Sequence, residues 1–239
     1  MSTAKTIAVI PARGGSKRIP GKNIKEFCGK PIIAYSIEQA LLSGLFDQVL
    51  VSTDNADIAS VARDYGAHAP FIRPPELSCD RTATFPVIRH SIEFIEAQQG
   101  IKLERVCCIY ATAPFLNAND LMRGNELLSK DNSLEFAFSV ATYPFPIQRA
   151  IYLDSKTSTV RMFQPMHANT RSQDLRESYH DAGQFYWGRR DAFLDKDNIF
   201  LARSAPVIIP RARVQDIDTF EDWDDAVRQY KAYNPSMKL

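Results

Sequence analysis

The sequence lacks the features that mark disulfide-rich and membrane-spanning proteins. Among 239 residues it has four cysteines, Cys28, Cys79, Cys107 and Cys108, and none of them forms a Cys-x-x-Cys pair. We therefore expect free, buried thiols in a reducing cytosol. No run of about 18 apolar residues occurs, so no membrane span is predicted. Residues 1–5 leave no room for a signal peptide before the first apolar segment, and we expect a cytoplasmic protein.

An excess of charge is also missing. Lysine and arginine total 29 against 28 acidic residues, which gives a net charge of +1 at pH 7. This balance does not predict a nucleic-acid or membrane surface. The chain has no internal repeat, and its length allows a sizeable core. We predict one domain over residues 1–239.

One segment near the N-terminus has the composition of a phosphate-binding loop. Residues 7–10, Ile-Ala-Val-Ile, predict a short buried strand that ends at Pro11. The following residues, 12–23, contain three glycines and four basic side chains. Glycines let backbone amides approach a ligand, and cations beside those amides suit a polyphosphate. We call residues 12–23 the phosphate loop, and we place it at the carboxyl end of the first strand.

Two common phosphate loops do not match this segment. Gly15 and Gly21 enclose five residues rather than the four of a Walker A loop, and Asn23 follows Lys22 where Ser or Thr is required. The dinucleotide pattern Gly-x-Gly-x-x-Gly is also absent here. The alternative is a flexible basic surface loop without a ligand.

Apolar spacing and turn residues predict an α/β fold. A helix is expected over residues 31–42, then a strand over 48–52 and a helix over 56–65 capped by Asn55. Further helices are predicted at 86–98, 119–128 and 220–233, and further strands at 105–110, 135–140 and 205–209. This alternation is typical of a mostly parallel sheet flanked by helices.

Residues 143–179 interrupt this alternation. They are rich in proline and polar residues and have no long helical period, so we expect an insertion of hairpins. The segment carries arginines at positions 149, 161, 171 and 176, which have the forked geometry that binds a carboxylate. The alternative is that most of these arginines are solvated.

Two carboxylates near the C-terminus form a candidate metal site. Asp216 and Asp218 project from one face of an extended chain, while Ile217 turns toward the core. Two carboxylates on one face repel unless a cation lies between them, and Mg²⁺ is the usual partner of a triphosphate. The alternative is that Asp218 or Thr219 caps the final helix. The pair alone favours capping, whereas the pair together with the phosphate loop favours a metal.

The phosphate loop resembles the N-terminal signature of the CMP-sialic acid synthetase family, Ala-Arg-x-x-Ser-Lys-x-x-Pro-x-Lys-Asn. The matching positions are Ala12, Arg13, Ser16, Lys17, Pro20, Lys22 and Asn23. The resemblance implies a three-layer, Rossmann-like nucleotidyltransferase that uses CTP and Mg²⁺ and forms a homodimer. It also implies a β-rich dimerisation arm at residues 140–182 and catalytic roles for Arg13 and Lys22. The residues it assigns to the nucleotide in this loop are Ala12, Arg13, Gly14, Ser16, Lys17, Lys22 and Asn23.

A second segment resembles the same family. Residues 73–80 are similar to its Arg-Pro-x-Glu-Leu-small-x-Asp pattern, which helps to bind the nucleotide. The resemblance implies nucleotide-binding roles for Arg73, Asp80, Thr82 and Thr84. Arg81 interrupts the usual spacing, and helix capping is the alternative role of the two threonines.

The positions that face the sugar in the family differ here. Tyr110 stands where the sialic acid enzymes have Gln, and the segment 181–187, Asp-Ala-Gly-Gln-Phe-Tyr-Trp, resembles family members that act on pseudaminic acid, a bacterial nine-carbon acidic sugar. The residues implied for the acceptor are Tyr110, Arg171, Asp181, Gln184 and Tyr186. The implied reaction transfers CMP from CTP to the sugar for bacterial surface glycan biosynthesis. Alternatives are an N-acetylneuraminic, legionaminic or 3-deoxy-manno-octulosonic acid acceptor, or a relative without turnover.

Overall fold

The computed structural model describes residues 5–234. In chain order the strands are β1 (Lys5–Pro11), β2 (Glu26–Phe27), β3 (Lys30–Pro31), β4 (Gln48–Ser52), β5 (Leu103–Ile109), β6 (Phe136–Thr142), β7 (Ile151–Asp154), β8 (Thr159–Met162), β9 (Tyr179–Arg189) and β10 (Ser204–Ile208). The helices are α1 (Ile32–Leu42), α2 (Ala56–Asp64), α3 (Thr84–Gln99), α4 (Ala118–Lys130), α5 (Arg190–Asp195) and α6 (Phe220–Tyr233). Within residues 5–234 no helix has both the length and the apolar character needed to cross a membrane.

The central sheet has six strands in the order β10-β6-β9-β5-β1-β4. β1 pairs in parallel with β4 and β5, and β10 pairs in parallel with β6. β9 is antiparallel to both of its neighbours, β5 and β6. Five strands therefore run one way and one runs against them, which confirms the predicted mostly parallel α/β sheet.

Alternating side chains of the strands bury two faces of this sheet. Ala8 and Ile10 of β1 pack in one cluster with residues of α1, α2 and α4. Ile7 and Val9 pack in a second cluster with residues of α3 and α5. Helices thus cover both faces and make three layers. The adjacent thiols of Cys107 and Cys108 are buried on opposite faces for the same reason.

The prediction that all four cysteines are buried is wrong for Cys28 and Cys79. Cys79 is exposed and Cys28 is half-buried, whereas Cys107 and Cys108 are buried. Cys79 lies in the turn before α3 rather than in a strand or helix, so its side chain has no sheet face to pack against.

A smaller apolar cluster joins the two ends of the chain. Ile19 of the phosphate loop packs with Phe27, Ile217 and Trp223 of α6, and all four are buried. This contact brings residues 216–218 next to the phosphate loop, although about two hundred residues separate the two segments in sequence.

The helix termini explain several predicted boundaries. Asn55 caps α2, because its side chain accepts hydrogen bonds from the amides of Asp57 and Ile58. α3 begins at Thr84 after Ala83, and no side-chain hydrogen bond caps it. The two threonines that precede or open α3 therefore do not cap this helix.

The arm, residues 140–182, contains the antiparallel hairpin of β7 and β8, as the sequence predicts for this insertion. Several apolar side chains in and next to this hairpin are not covered by the rest of the described chain. Leu153 is 68% exposed, Val160 63% and Phe163 65%. The hairpin thus presents an apolar surface to its surroundings.

Candidate active site

A cleft of about 580 Å³ lies where the phosphate loop leaves β1. Its walls come from the phosphate loop, from residues 73–87, from residues 110–112 after β5 and from Asp218. The sequence-predicted site residues that line it are Arg13, Ser16, Lys17, Lys22, Asn23, Arg73, Asp80, Thr82, Thr84, Tyr110 and Asp218. Residues from four distant segments are thus brought together at the carboxyl ends of parallel strands, where such sheets bind ligands.

The shape of the phosphate loop is fixed by its own backbone contacts. The Ala12 amide donates to the Ser52 carbonyl at 2.9 Å, and the Gly14 amide donates to Oδ1 of Asp54 at 2.7 Å. A Cβ atom on Gly14 would lie only 2.9 Å from Cβ of Asn55, so glycine is required for this approach. Ala12 and Gly14 therefore support the loop from behind and do not line the cleft.

The cleft carries an excess of positive charge. Its charged side chains are Arg13, Lys17, Arg18, Lys22, Arg73, Asp80 and Asp218. Five cations thus face two carboxylates, an imbalance that favours a multiply charged anion.

The two carboxylates divide four of these cations between them. Asp80 pairs with both Arg13 and Lys17, and these hydrogen bonds hold the pKa of Asp80 below its usual range. Asp218 pairs with Arg18 at 2.8 Å and with Lys22 at 3.5 Å. The positive side chains are therefore held in the cleft by internal anions.

Arg73 and Lys22 are the most fixed of the five cations. The Arg73 side chain is only 3% exposed, lies 4.0 Å from Oδ1 of Asp54 and donates to Oγ of Ser78 at 3.2 Å. Burial lowers the pKa of Arg73, and Asp54 opposes that effect. Lys22 donates from Nζ to the Ile217 carbonyl at 2.6 Å, which links the phosphate loop to the Asp216–Asp218 segment.

The Asp216–Asp218 segment brings two carboxylates next to the phosphate loop. Partial loss of solvent and the neighbouring Asp218 carboxylate raise the pKa of Asp216. The helix cap is supplied by Thr219, which forms a capping box with Asp222, so neither carboxylate of the pair is used as the cap. The described part of the chain holds no group of three or more metal-ligating side chains. Mg²⁺ is usually bound by one or two carboxylates, with phosphate and water at its other coordination positions, rather than by protein ligands alone.

A side pocket of about 260 Å³ adjoins the cleft and shares Thr84 and Tyr110 with it. Aromatic residues dominate its wall, which includes Phe85, Phe193 and Phe200. The pocket thus offers apolar surface beside a charged cleft.

The polar residues of the side pocket form a connected chain. The Tyr186 hydroxyl donates to Oδ2 of Asp181 at 2.6 Å, and Oδ1 of Asp181 accepts from the Gly183 amide at 2.8 Å. The Tyr110 and Tyr186 rings lie 5.2 Å apart, and the Tyr110 hydroxyl is 3.5 Å from Oγ1 of Thr84. Burial is the main cause that raises the pKa of Tyr186, so its hydroxyl stays a donor at neutral pH.

Two predicted acceptor residues are not brought to the cleft or the side pocket. Gln184 is 3% exposed, and its Nε2 donates to the Arg213 carbonyl at 2.5 Å. Arg171 is exposed in the arm. Asp216 lies beside the cleft, although only its neighbour Asp218 lines it.

Sequence reasoning missed several residues that the site contains. Arg18 lies in the phosphate loop between matched motif positions, and its charge was the available signal. Asp54 follows β4 at the carboxyl edge of the sheet and fixes both Gly14 and Arg73. Phe193 and Phe200 come from segments far from any motif, and no local pattern indicated them.

Comparisons with known proteins identify the family of this chain. A sequence model of the cytidylyltransferase family matches residues 7–237. The chain is 47% identical over 97% of its length, and 99% of the relative, to a pseudaminic acid cytidylyltransferase of Campylobacter jejuni subsp. jejuni serotype O:23/36 (strain 81-176). It is 34% identical to a longer Helicobacter pylori (strain ATCC 700392 / 26695) protein, a pseudaminic acid cytidylyltransferase and UDP-2,4-diacetamido-2,4,6-trideoxy-beta-L-altropyranose hydrolase, over 98% of this chain and 44% of that protein.

The fold also matches a solved structure. A CMP:2-keto-3-deoxy-manno-octonic acid synthetase complexed with CTP superimposes with a TM-score of 0.71. The alignment covers 96% of this chain and 100% of the other at 16% identity, so it supports the fold alone.

Proposed function

Because this chain belongs to the cytidylyltransferase family, we propose that it transfers CMP from CTP to the anomeric hydroxyl of pseudaminic acid. The products are CMP-pseudaminic acid and pyrophosphate. Support for the acceptor comes from two relatives with that name, at 47% and 34% identity. Further support comes from the side pocket, where Tyr110, Asp181 and Tyr186 meet. The conjugate would serve bacterial surface glycan biosynthesis in the cytoplasm.

The observation that carries this proposal is the set of five cations at the carboxyl ends of β1 and β4. Arg13, Ser16, Lys17 and Asn23 would hold the triphosphate of CTP. Asp80 would hold Arg13 and Lys17 in place before CTP binds. When CTP binds, the two cations would form ion pairs with phosphate oxygens. Arg73, Asp80, Thr82 and Thr84 would contact the nucleotide from the opposite wall, and the two threonines are available because no side chain caps α3.

The chemical step asks for positioning and charge neutralisation. The anomeric oxygen forms a bond to the α-phosphorus while the bond from that phosphorus to the pyrophosphate oxygen breaks, and the proton of the anomeric hydroxyl is released to solvent. Lys22, held by the Ile217 carbonyl, would contact the α-phosphate and stabilise the charge that develops there. Arg13 would do the same at the leaving pyrophosphate. Mg²⁺, held by Asp216 and Asp218, would supply charge neutralisation at phosphate oxygens.

The acceptor would enter from the side pocket. Its apolar substituents would contact Phe85, Phe193 and Phe200, and its polar substituents would contact Tyr110 and the Asp181–Tyr186 pair. A pocket with this mixture of a few polar groups in an aromatic wall is typical of small-molecule recognition.

We further propose that the enzyme is a homodimer that buries the arm. The exposed Ile151, Leu153 and Val160 lie on one face of the hairpin and form an apolar surface that a second copy would cover. Arg171 would then contact the acceptor of the partner's site. Light scattering tests this with Leu153→Glu/Val160→Glu: the wild type should have the mass of two chains and the variant that of one. A monomeric wild type would contradict the dimer.

The proposed reaction is tested with CTP labelled at the α-phosphorus. In the presence of Mg²⁺ and pseudaminic acid, the label should move into a CMP-sugar conjugate. Lys22→Ala should abolish most of this transfer, whereas Lys102→Ala, at a 69% exposed side chain far from the cleft, should not. Absence of any labelled conjugate with the wild type would contradict the proposal.

A further inference from the structure

A group of buried polar side chains lies outside both the cleft and the side pocket. Asp120 of α4, Gln184 of β9 and Arg213 are 4%, 3% and 7% exposed. We call these three residues the brace. We propose that the brace positions the Asp216–Asp218 segment so that its carboxylates can hold the metal, an inference that rests on the proposed function.

Asp120 and Gln184 hold the side chain and the backbone of Arg213, respectively. Nη1 of Arg213 donates to Oδ2 of Asp120 at 2.5 Å, and the Arg213 carbonyl accepts from Nε2 of Gln184 at 2.5 Å. Oδ1 of Asp120 is in turn held by Nη2 of Arg123 at 2.6 Å, which also donates to the Ile208 carbonyl at 3.0 Å. Arg213 is therefore fixed in position and direction by contacts from two secondary-structure elements.

Arg213 lies at the entry to the segment that carries the proposed metal ligands. It ends the turn Arg211–Arg213, and Asp216 follows three residues later. At the other end, the Ile217 side chain is buried against α6 and its carbonyl accepts from Lys22. The short segment between these two anchors holds Asp216 with little freedom to turn away.

The buried ion pair is better explained by geometry than by stability. A buried pair gives little net stability compared with apolar residues of similar volume, because both charges lose their water. The charge-assisted hydrogen bond from Nη1 of Arg213 to Oδ2 of Asp120 is directional, however, and together with the Gln184 contact to the Arg213 carbonyl it fixes the orientation of this residue. Partners that orient metal ligands from outside the coordination sphere change metal affinity by about 10- to 100-fold when removed.

The brace also links the metal segment to the side pocket. Gln184 lies on the strand that carries Asp181 and Tyr186, so one strand contacts both regions. This contact gives the buried Gln184 a role that does not require it to touch the acceptor.

The test measures Mn²⁺ binding in place of Mg²⁺, with CTP present and no acceptor, so that no turnover occurs. Free Mn²⁺ is read by electron paramagnetic resonance. Asp120→Asn should weaken CTP-dependent Mn²⁺ binding by about tenfold or more. Gln184→Met, which removes only the amide contacts, should weaken it by a smaller factor of about three. Metal-free CTP binding should not change in either variant.

Two further variants separate positioning from folding. Asp120→Leu/Arg213→Met replaces the ion pair by apolar groups and should keep the melting temperature near that of the wild type while Mn²⁺ binding stays weak. Glu96→Gln is the control, because it breaks a different ion pair. Oε2 of Glu96 in α3 lies 2.8 Å from Nη2 of Arg190 in α5, and the loss of this pair should leave Mn²⁺ binding unchanged.

The outcomes are distinct. Wild-type Mn²⁺ affinity in a folded Asp120→Asn or Asp120→Leu/Arg213→Met protein would overturn the brace. If Asp120→Asn does not fold, the double variant and Gln184→Met decide the question. A wild-type protein without CTP-dependent Mn²⁺ binding would instead contradict the metal in the proposed function.

Discussion

The cleft presents charge to its ligand, whereas the neighbouring side pocket presents aromatic surface. Five cations and two carboxylates line the cleft, and Phe85, Phe193 and Phe200 line the side pocket. The two regions meet at Thr84 and Tyr110. The charged cleft suits the triphosphate of CTP, which is the same whichever sugar acid is the acceptor. The aromatic side pocket suits the substituents by which one acceptor differs from another.

This difference separates turnover from selectivity. A change in the cleft should affect every acceptor to the same degree, because CTP is common to all of them. A change in the side pocket should affect one acceptor more than another and leave CTP binding intact. Variants in the two regions can therefore be distinguished by kcat and by the KM of each substrate.

The largest expected effect is in the cleft. Lys22→Ala should lower kcat by about 100-fold or more, because one preorganised charge contact to the transition state is lost. The loss should be the same with any acceptor that the wild type accepts. Pyrophosphate release at saturating CTP measures it, and near-normal turnover would remove Lys22 from the catalytic role.

The second effect is in the side pocket. Tyr186→Phe removes the donor to Oδ2 of Asp181, which leaves that carboxylate short of a hydrogen bond. We expect the KM for the acceptor to rise by about tenfold, the scale of one lost hydrogen bond to a charged group. The KM for CTP should not change. An equal rise in both constants would show that the two regions are not separable.

The third effect returns to the cleft, through its backbone. Gly14→Ala places a Cβ atom 2.9 Å from Cβ of Asn55, so the phosphate loop must shift. We expect the KM for CTP to rise by about fivefold, because a small displacement of a binding loop weakens each of its contacts. Gly15→Ala is the matched control, since nothing lies within 4 Å of its Cβ position. Equal effects of the two substitutions would contradict the packing argument.

The smallest expected effect is on the stability of the fold, through the ion pair between Glu96 of α3 and Arg190 of α5. Hydrogen bonds from Arg190 are the main cause that lowers the pKa of Glu96, so this pair stabilises the fold above the pKa of Glu96 in the unfolded chain. Glu96→Gln should cost about 1 kcal/mol at neutral pH, or roughly 2–4 °C in melting temperature. The difference from the wild type should disappear as the pH falls through the lowered pKa of Glu96. A difference that persists in acid would exclude the carboxylate as its source.

Features set by neighbours in sequence were predictable. The strand at residues 48–52, the Asn55 cap and the helix at 220–233 agree with the structure because periodicity and caps are local. The phosphate loop was recognisable for the same reason, since its glycines and cations are contiguous.

Features set by distant contacts were not predictable. β9 runs antiparallel between β5 and β6, a pairing that depends on segments far apart in sequence. Its register shifts opposite residues 138–140, and Gly183 has a φ of +62°. The alternation of side chains between the two faces of β9 therefore breaks at this point. As a result Gln184 donates to the Arg213 carbonyl, whereas Tyr186, two residues later, donates to Asp181. The wall of the side pocket likewise combines α3, α5 and residues 197–200.

The most direct measurement is pyrophosphate release with CTP and Mg²⁺, with pseudaminic acid and N-acetylneuraminic acid offered in parallel. The account predicts release with pseudaminic acid and little with N-acetylneuraminic acid. Preferential release with N-acetylneuraminic acid would keep the chemistry of the cleft and contradict the assignment of the side pocket. Release with neither acid would contradict the proposed acceptor altogether.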